Sequence, residues 1–262
     1  GELELQGTAE KPVVLRTMLG TNPGRVVVNV RSRVIPTEKP GTAAPETVGG
    51  IRLPNDLTWQ CVHFEGLGYL TIKREGRQSA RVPDAAVLFN VLGGAHAVSI
   101  VDCTFENCAR LVVRAADGAR ITIVGNRFNQ PKDRACVEVF GREGETPAAA
   151  IAVNRNTCAA ALCVRAAPAM IMENILVGTD AAIVVAEDPS DGTKIAGNYV
   201  HNTTDEDDGR YCLNCENPAA AIEDNILRGG SACVWSGSRR MSGNVLIAAP
   251  RLSSKVVKMA RT

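Results

Sequence analysis

The chain has 262 residues, of which 45% are hydrophobic and 22% charged, enough apolar material for one large domain or two small ones. Aromatic residues make up only 4%, so Val, Ile, Leu, Ala and Cys must fill the core. The 29 basic and 28 acidic residues give a net charge of +1, which offers no general attraction for nucleic acid or an anionic membrane. No segment approaches the ~20 apolar residues of a membrane span, so we expect neither nucleic acid as a partner nor a transmembrane segment.

The N-terminal third combines short strand patterns with two polar insertions. "ELELQ" at 2–6 alternates apolar and polar residues as a half-buried strand does. A Pro-, Gly- and Thr-rich stretch at 34–50 and a polar stretch at 74–85 interrupt the strand pattern, and we expect both to be exposed loops. Because the strand pattern resumes after each, we expect one domain over 1–262.

One short pattern then recurs along the chain, an apolar alternation that ends in Asn. The asparagines of this slot are Asn126, Asn156, Asn174, Asn198, Asn225 and Asn244. Cys103 and Val62 occupy the same slot in two earlier copies, so the mean period from 62 to 244 is 26 residues. The gaps are irregular while the pattern is fixed, which indicates one structural unit repeated with loop insertions.

Each unit holds a second short strand, and helical periodicity is hard to find anywhere. These second strands are "YLTIKRE", "AVLFNVL", "RLVVRAA", "ACVEVFG", "ALCVRAA", "AAIVVAE", "YCLNCEN" and "ACVWSG". Units of this size without a helix cannot bury an apolar face alone, so they must stack. The prediction is an all-β fold, a single-stranded parallel β-helix (solenoid) of roughly eight coils, with ~4.8 Å between coils.

This repeat resembles that of the right-handed parallel β-helix proteins of the pectate-lyase-like superfamily. The opening "GTAEKPVVLR" is similar to the first-coil segment of the alginate lyase and chondroitinase B branch of the polysaccharide lyases. The resemblance implies a right-handed solenoid, a polysaccharide or oligosaccharide as the ligand, and export from the cytoplasm.

The recurring Asn is predicted to be structural. Asn suits a sharp turn because it tolerates the left-handed conformation and bonds neighbouring backbone. Stacked coils would also place identical amides above one another, so that each donates a hydrogen bond to the next. We expect this ladder to stop where Cys103 or Val62 replaces Asn. The alternative, that these asparagines bind sugar or metal, cannot hold for six equivalent positions.

Alternation along the second strands predicts which side chains point outward, where a solenoid carries its binding residues. The outward residues with binding chemistry are Lys73, Asn90, Arg114, Glu138, Phe140, Arg165, Asn214, Glu216 and Trp235. In the lyases that the chain resembles, a base removes a proton from a uronic acid, and cations stabilise the resulting charge. The resemblance assigns Lys73 as a base, Arg114 and Arg165 as carboxylate clamps, and the other six as substrate-binding residues.

Two observations weigh against catalysis. The lyase branch carries a Lys on one strand and an Arg-His pair on the next coil, and the nearest segments here, "YCLNCE" and "ACVWSG", carry neither. Glu138 could also form a plain surface charge ladder with Arg114 and Arg165. Two functions therefore stay open: a carbohydrate-binding or lyase-like protein that acts on an acidic polysaccharide, and a non-catalytic recognition or spacer module of a larger protein.

Two acidic loops are candidates for calcium, which prefers several oxygen ligands. Their carboxylates are those of Glu187, Asp188, Asp191, Asp205, Asp207 and Asp208. The spacing matches no calcium-loop motif, and solvated acidic turns are the alternative.

Nine scattered cysteines, an odd number, are expected to be reduced core residues, which favours a reducing compartment over export. The chain starts with strand pattern where such solenoids usually have a capping helix. We therefore expect other domains of a longer chain to precede it.

Overall fold

The computed structural model describes residues 5–6, 8, 10–16, 26–31, 56–72, 80–83, 85–92, 97–115, 118–129, 135–141, 150–165, 168–186, 192–204, 211–229 and 232–247. Within these ranges the chain forms strands and turns and no helix. The strands build three long parallel sheets and one hairpin. The molecule is a right-handed parallel β-helix, which confirms the predicted fold class.

Each sheet takes one strand from each successive coil. Sheet A contains β1 (Leu5–Gln6), β4 (Asp56–Gln60), β9 (Ala97–Val101), β12 (Arg120–Val124), β15 (Ala150–Asn154), β18 (Ala169–Met172), β21 (Lys194–Ala196), β24 (Ala221–Glu223) and β27 (Arg240–Ser242). Sheet B contains β2 (Val13–Arg16), β5 (Val62–Glu65), β10 (Thr104–Glu106), β13 (Arg127–Asn129), β16 (Thr157–Cys158), β19 (Ile175–Gly178), β22 (Tyr199–Asn202), β25 (Ile226–Gly229) and β28 (Val245–Ile247). Sheet C contains β3 (Val26–Arg31), β8 (Val87–Leu92), β11 (Leu111–Ala115), β14 (Ala135–Gly141), β17 (Ala161–Arg165), β20 (Ile183–Val185), β23 (Tyr211–Cys215) and β26 (Ala232–Ser236).

We number the coils along the chain. Coil 1 is β1–β3, coil 2 is β4, β5 and β8, and coils 3 to 8 follow in threes from β9 to β26. Coil 9 consists of β27 and β28 in the described residues. The predicted insert at 34–50 lies outside the described residues.

The second coil departs from the prediction. The segment "YLTIKRE" was expected to supply a stacked strand, but β6 (Tyr69–Ile72) pairs antiparallel with β7 (Ala80–Pro83) as a hairpin inserted between β5 and β8. The stacked strand of this coil is β8. Residues 80–83 of the polar stretch at 74–85 thus belong to a strand.

The ladder of asparagines is confirmed and is the main polar feature of the interior. The amide Nδ2 of each asparagine donates to the Oδ1 of the next, from Asn126 through Asn244, over 2.9–3.0 Å. Each Oδ1 also accepts the backbone N–H of the residue in the same slot one coil earlier, as Asn174 does from Asn156 over 2.9 Å. Each Nδ2 donates as well to a carbonyl of sheet A, for example from Asn174 to Val153 over 2.7 Å. Every polar group of these buried amides therefore has a partner.

The ladder stops at Cys103, as predicted, because a thiol cannot replace the amide. The backbone N–H of Cys103 still donates to Oδ1 of Asn126 over 2.9 Å, and its thiol donates to the carbonyl of Val101 over 3.3 Å. The prediction that Asn itself takes the left-handed conformation is wrong. The residue before the slot takes it, with φ of 55° at Arg155 and 57° at Glu173. The corner is thus made by one residue, and the asparagine after it is free to point inward.

Apolar columns fill the space between the sheets. In sheet B the rings of Phe64, Phe105 and Phe128 stack with centroids 4.6 Å apart, close to the spacing of the coils. Cys158 and Leu176 continue the same column in the next two coils. The few aromatic residues are thus concentrated in the N-terminal half of the core.

The ladder predicts a stability difference between two asparagines of neighbouring coils. Asn174→Ala should lower the free energy of unfolding by about 2–4 kcal/mol, because it removes two acceptors and two donors from buried partners. Asn154→Ala is the control, since Asn154 lies on the outward side of β15 and its Oδ1 accepts a hydrogen bond from the backbone N–H of Met172; it should cost about 1 kcal/mol or less. Urea unfolding followed by circular dichroism measures both, and equal losses would contradict the ladder's role.

Candidate functional site

The outer face of sheet C carries most of the residues predicted to bind a ligand, and the strand register sorts them into two rows. The Glu138 row runs along the solenoid axis through Leu88, Val112, Glu138, Cys163, Val184, Asn214 and Trp235. The Arg114 row runs beside it through Asn90, Arg114, Phe140 and Arg165. Neighbouring members of a row are one strand spacing apart, ~4.8 Å.

The Arg114 row places an aromatic ring between two cations. Arg114 and Arg165 are exposed, and Phe140 lies between them in the register. The Arg165 guanidinium lies over the Phe140 ring, 5.7 Å from its centroid, within the range of a cation–π contact. Neither arginine forms an ion pair with a described residue. The row therefore presents two accessible guanidinium groups with a half-buried aromatic ring between them.

The predicted charge ladder of Glu138 with Arg114 and Arg165 is wrong. Glu138 stands opposite Val112 and Cys163, one row away from both arginines. Alternation assigns a residue to a face but does not say which residue of the next coil it meets. That pairing is set by the inward residues of sheet C, and it brings Phe140 level with the arginines.

Glu138 instead pairs with Arg110, which the sequence analysis did not single out. The Arg110 Nε lies 3.2 Å from the Glu138 Oε2, and Glu138 is only 7% exposed. Val112, which alternation places on the same outer face, is buried in a small cluster with Ala85, Leu88 and Phe140. Glu138 therefore faces outward as predicted, but it is a buried ion-pair partner and not an accessible carboxylate. Arg110 lies two residues before Val112, so the same alternation places its side chain on the outer face and could have identified it as a partner for Glu138.

The free thiol of Cys163 lies next to Glu138 on the same row. Burial, with a smaller contribution from the charge of Glu138, raises the pKa of Cys163 to about 11. The thiol is thus protonated at neutral pH, and a thiol is a much weaker nucleophile than a thiolate. Cys163 is therefore a packing residue of this face.

The far end of the face, three coils beyond Arg165, has a different character. Trp235 is 45% exposed and stands in register with Asn214. Among the described residues the buried Oδ1 of Asn214 has no hydrogen-bond partner, and Glu216 just after β23 is exposed. The exposed indole of Trp235 suits a ligand with an apolar face.

Several predicted site residues lie outside the described residues. They are Lys73, Glu187, Asp188, Asp191, Asp205, Asp207 and Asp208, and of Asn90 only the backbone is described. The base and the calcium site therefore stay predictions. Among the described residues no group of three or more His, Cys, Asp or Glu side chains is arranged to hold a metal ion.

Sheet B contains a recess that the sequence analysis missed. It encloses about 390 Å³ and is lined by Glu106, Asn129, Thr157, Ala159 and Ile175, among others. The recess exists because coil 5 contributes the small residues Thr157 and Ala159 where the neighbouring coils carry longer side chains. The small residues Thr157 and Ala159 in "NTCAA" are the sequence feature that could have predicted this recess.

The buried thiols predict a loss of stability in alkali. Burial raises the pKa of Cys103, Cys108 and Cys163 from 9.0 to about 11. The unfolded chain therefore releases these protons first, so the stability they contribute is complete below pH 9 and is lost as the pH rises towards 11. The urea midpoint should fall over this window, and it should fall less in Cys163→Ala. An equal fall in the parent and the variant would contradict the assignment to Cys163.

Comparison of the chain with protein-family models, with curated proteins and with solved structures finds no match. No helical segment of the described residues has the length and apolar character needed to cross a lipid bilayer. Any inference about function therefore depends on the chemistry of the outer faces.

Proposed function

We propose that the protein binds an acidic polysaccharide along the outer face of sheet C and belongs to the pectate-lyase-like superfamily of β-helix proteins. The observation that carries the proposal is the Arg114 row, in which two exposed guanidinium groups flank Phe140. Arginine presents a rigid fork of donors that matches a carboxylate, and each such charge-assisted contact is worth about 1.5–3 kcal/mol.

The geometry favours a polymer over a single sugar. Arg114 and Arg165 stand two coils apart, roughly 9.6 Å at two strand spacings. Trp235 lies three coils beyond Arg165, roughly 14 Å further along the same face. A ligand that contacts all three must run along the solenoid axis over several sugar units. Its carboxylates would meet the arginines, and one sugar face would stack on Trp235.

The proposed activity is binding, without bond cleavage. Proton removal from a uronic acid needs a base within hydrogen-bond reach. Glu138 is buried against Arg110, and the Cys163 thiol is protonated, so neither is suited to that role. The Lys and the Arg-His pair of the lyase branch are also missing from the corresponding segments.

Affinity electrophoresis and calorimetry test the proposal with polygalacturonate and alginate as ligands and dextran as the neutral control. Arg165→Ala and Arg114→Ala should each weaken binding of the acidic polymers about tenfold, since loss of one charge-assisted contact is worth about 1.4 kcal/mol or more. Arg120→Ala, which removes an exposed arginine from sheet A, should leave binding unchanged. Added salt should weaken binding of the parent protein.

Three results would contradict the proposal. The first is that no acidic polymer binds the parent, and the second is that Arg120→Ala weakens binding as much as Arg165→Ala does. The third is an ultraviolet absorbance that grows with time as an unsaturated product forms. It would show that the protein is a lyase and that a residue other than Glu138 and Cys163 acts as the base.

A further inference from the structure

Two cysteine thiols meet inside the core, one from coil 4 and one from coil 5. Cys136 and Cys158 are 1% and 3% exposed and belong to the same packed cluster of buried residues. A side-chain hydrogen bond joins their thiols, and neither cysteine is in a disulfide. The thiol of Cys103, by contrast, donates to the backbone carbonyl of Val101 over 3.3 Å. Cys136 and Cys158 are therefore placed to react with each other.

A β-bulge in coil 4 accounts for the position of Cys136. Ala135 of β14 pairs with Ala161 of β17. Val137 pairs with Leu162, the residue directly after Ala161, so β14 has one residue more than β17 over this stretch. The extra residue is Cys136. A bulged residue is left unpaired in the ladder, so its side chain does not have to follow the alternation of the strand.

A short corner in coil 5 brings Cys158 to the same place. Cys158 ends β16 in sheet B, and β17 of sheet C begins at Ala161, so only two residues separate these strands. Ala161 lies opposite Ala135, the neighbour of Cys136. The path of the backbone thus sets the two cysteines close together, in agreement with the hydrogen bond between their thiols.

Small side chains surround the pair. Ala135, Ala160 and Ala161 are all buried at this corner. A disulfide bond holds its two sulfurs ~2.0 Å apart, closer than hydrogen-bonded thiols, so at least one cysteine side chain has to turn. Methyl groups hinder such a turn less than larger side chains would.

We propose that Cys136 and Cys158 are a modification site, at which a small-molecule disulfide such as oxidised glutathione converts the two thiols into a disulfide between coil 4 and coil 5. The site lies in the core and is independent of the proposed polysaccharide site on the outer face of sheet C. It responds to the compartment, since such a bond forms in oxidising surroundings and the thiols persist in reducing ones.

The reaction is thiol–disulfide exchange in two steps. In the first step the thiolate of one cysteine attacks the oxidant, a mixed disulfide forms, and one small thiol leaves. In the second step the thiolate of the other cysteine attacks the protein sulfur of the mixed disulfide, and the second small thiol leaves. The protein loses two electrons and two protons, and the oxidant gains them as it becomes two thiols.

Cys163 is the competing partner for Cys136, because the two thiols are near enough to interact electrostatically. Cys163 stands opposite Glu138 on the outer face of sheet C. Cys136 lies two residues before Glu138 along β14, roughly 6.6 Å away, and is buried. The hydrogen bond of the Cys136 thiol with the Cys158 thiol favours Cys158 as the partner.

Burial decides when the bond forms. Burial, and to a smaller extent the hydrogen bond with Cys136, raises the pKa of Cys158 well above its usual value. The folded protein therefore holds little thiolate at this site, and the low exposure of both cysteines keeps the oxidant away. We expect oxidation while coils 4 and 5 are open, during folding or local unfolding.

Peptide mapping of the full chain tests the proposal. The reduced, unfolded protein is refolded with oxidised and reduced glutathione, the remaining thiols are blocked, and the protein is digested with trypsin. Peptides 135–142 and 156–165 should be recovered as one cross-linked species, and its fragmentation should assign the bond to Cys136 and Cys158. Folded protein in the same buffer should form this species at least about tenfold more slowly, since both cysteines are buried.

Two variants separate Cys158 from Cys163, because both lie in peptide 156–165. Cys158→Ala should abolish the cross-link, and Cys163→Ala, the matched control, should retain it. The oxidised parent should have a urea midpoint roughly 1 M above that of the reduced parent, because the bond closes a loop that constrains the unfolded chain. Oxidised Cys158→Ala should show no such rise. Cys136→Ala takes its place if Cys158→Ala fails to fold by circular dichroism.

Three results would overturn the proposal. The first is a refolded parent without the cross-linked species, and the second is a species whose fragmentation assigns the bond to Cys136 and Cys163. The third is a cross-link that leaves the urea midpoint unchanged or lowers it, since the bond would then not fit the native core. Equally fast formation in the folded protein would refute the expectation that the coils must open first.

Discussion

The hydrogen bonds between stacked asparagine amides are the constraint on which the rest of the structure depends. A buried amide has two donors and two acceptor sites, and the interior of a β-helix offers few places to satisfy them. In this chain the next coil supplies an acceptor for Nδ2 and the preceding coil supplies the donors to Oδ1, so each asparagine is satisfied only if its neighbours are in register. A shift of one residue would break the bonds on both sides, so the ladder fixes the register at the corner between sheets A and B from coil 4 to coil 9.

The fixed register is what gives the outer faces their chemistry. Residues far apart in sequence become neighbours along straight rows, and the identity of a neighbour depends on the length of the intervening coil. Sheet C thereby sets two cations about one aromatic ring, while sheet B brings exposed aliphatic residues of coils 6, 8 and 9 onto one face.

The repeat, the strands and the Asn ladder were predictable because each depends on a short local pattern. The register across sheet C was not, because alternation says that Glu138 and Arg114 share a face but cannot say that Phe140 is the residue that stands between the arginines. The burial of Glu138 depends on Arg110, a residue of another coil. The hairpin of β6 and β7 was missed for a similar reason: "YLTIKRE" alternates like any strand, and only its pairing with 80–83 shows that it leaves the stack. The left-handed residue was misplaced although the sequence carries a signal for it, since Gly125, Gly197 and Gly243 stand directly before the slot and glycine adopts positive φ readily. Arg155 and Glu173 hide this signal in two copies.

The stacked coils fix the distances between side chains along each outer face. Positions on an outer face are separated by whole numbers of strand spacings, so the distance from Arg165 to Trp235 is a count of coils and does not depend on loop length. Insertions such as the hairpin in coil 2 change the outline of the molecule without changing that count. Gain or loss of one complete coil between β17 and β26 would instead alter the span by one strand spacing, and with it the length of polymer that the proposed site would contact.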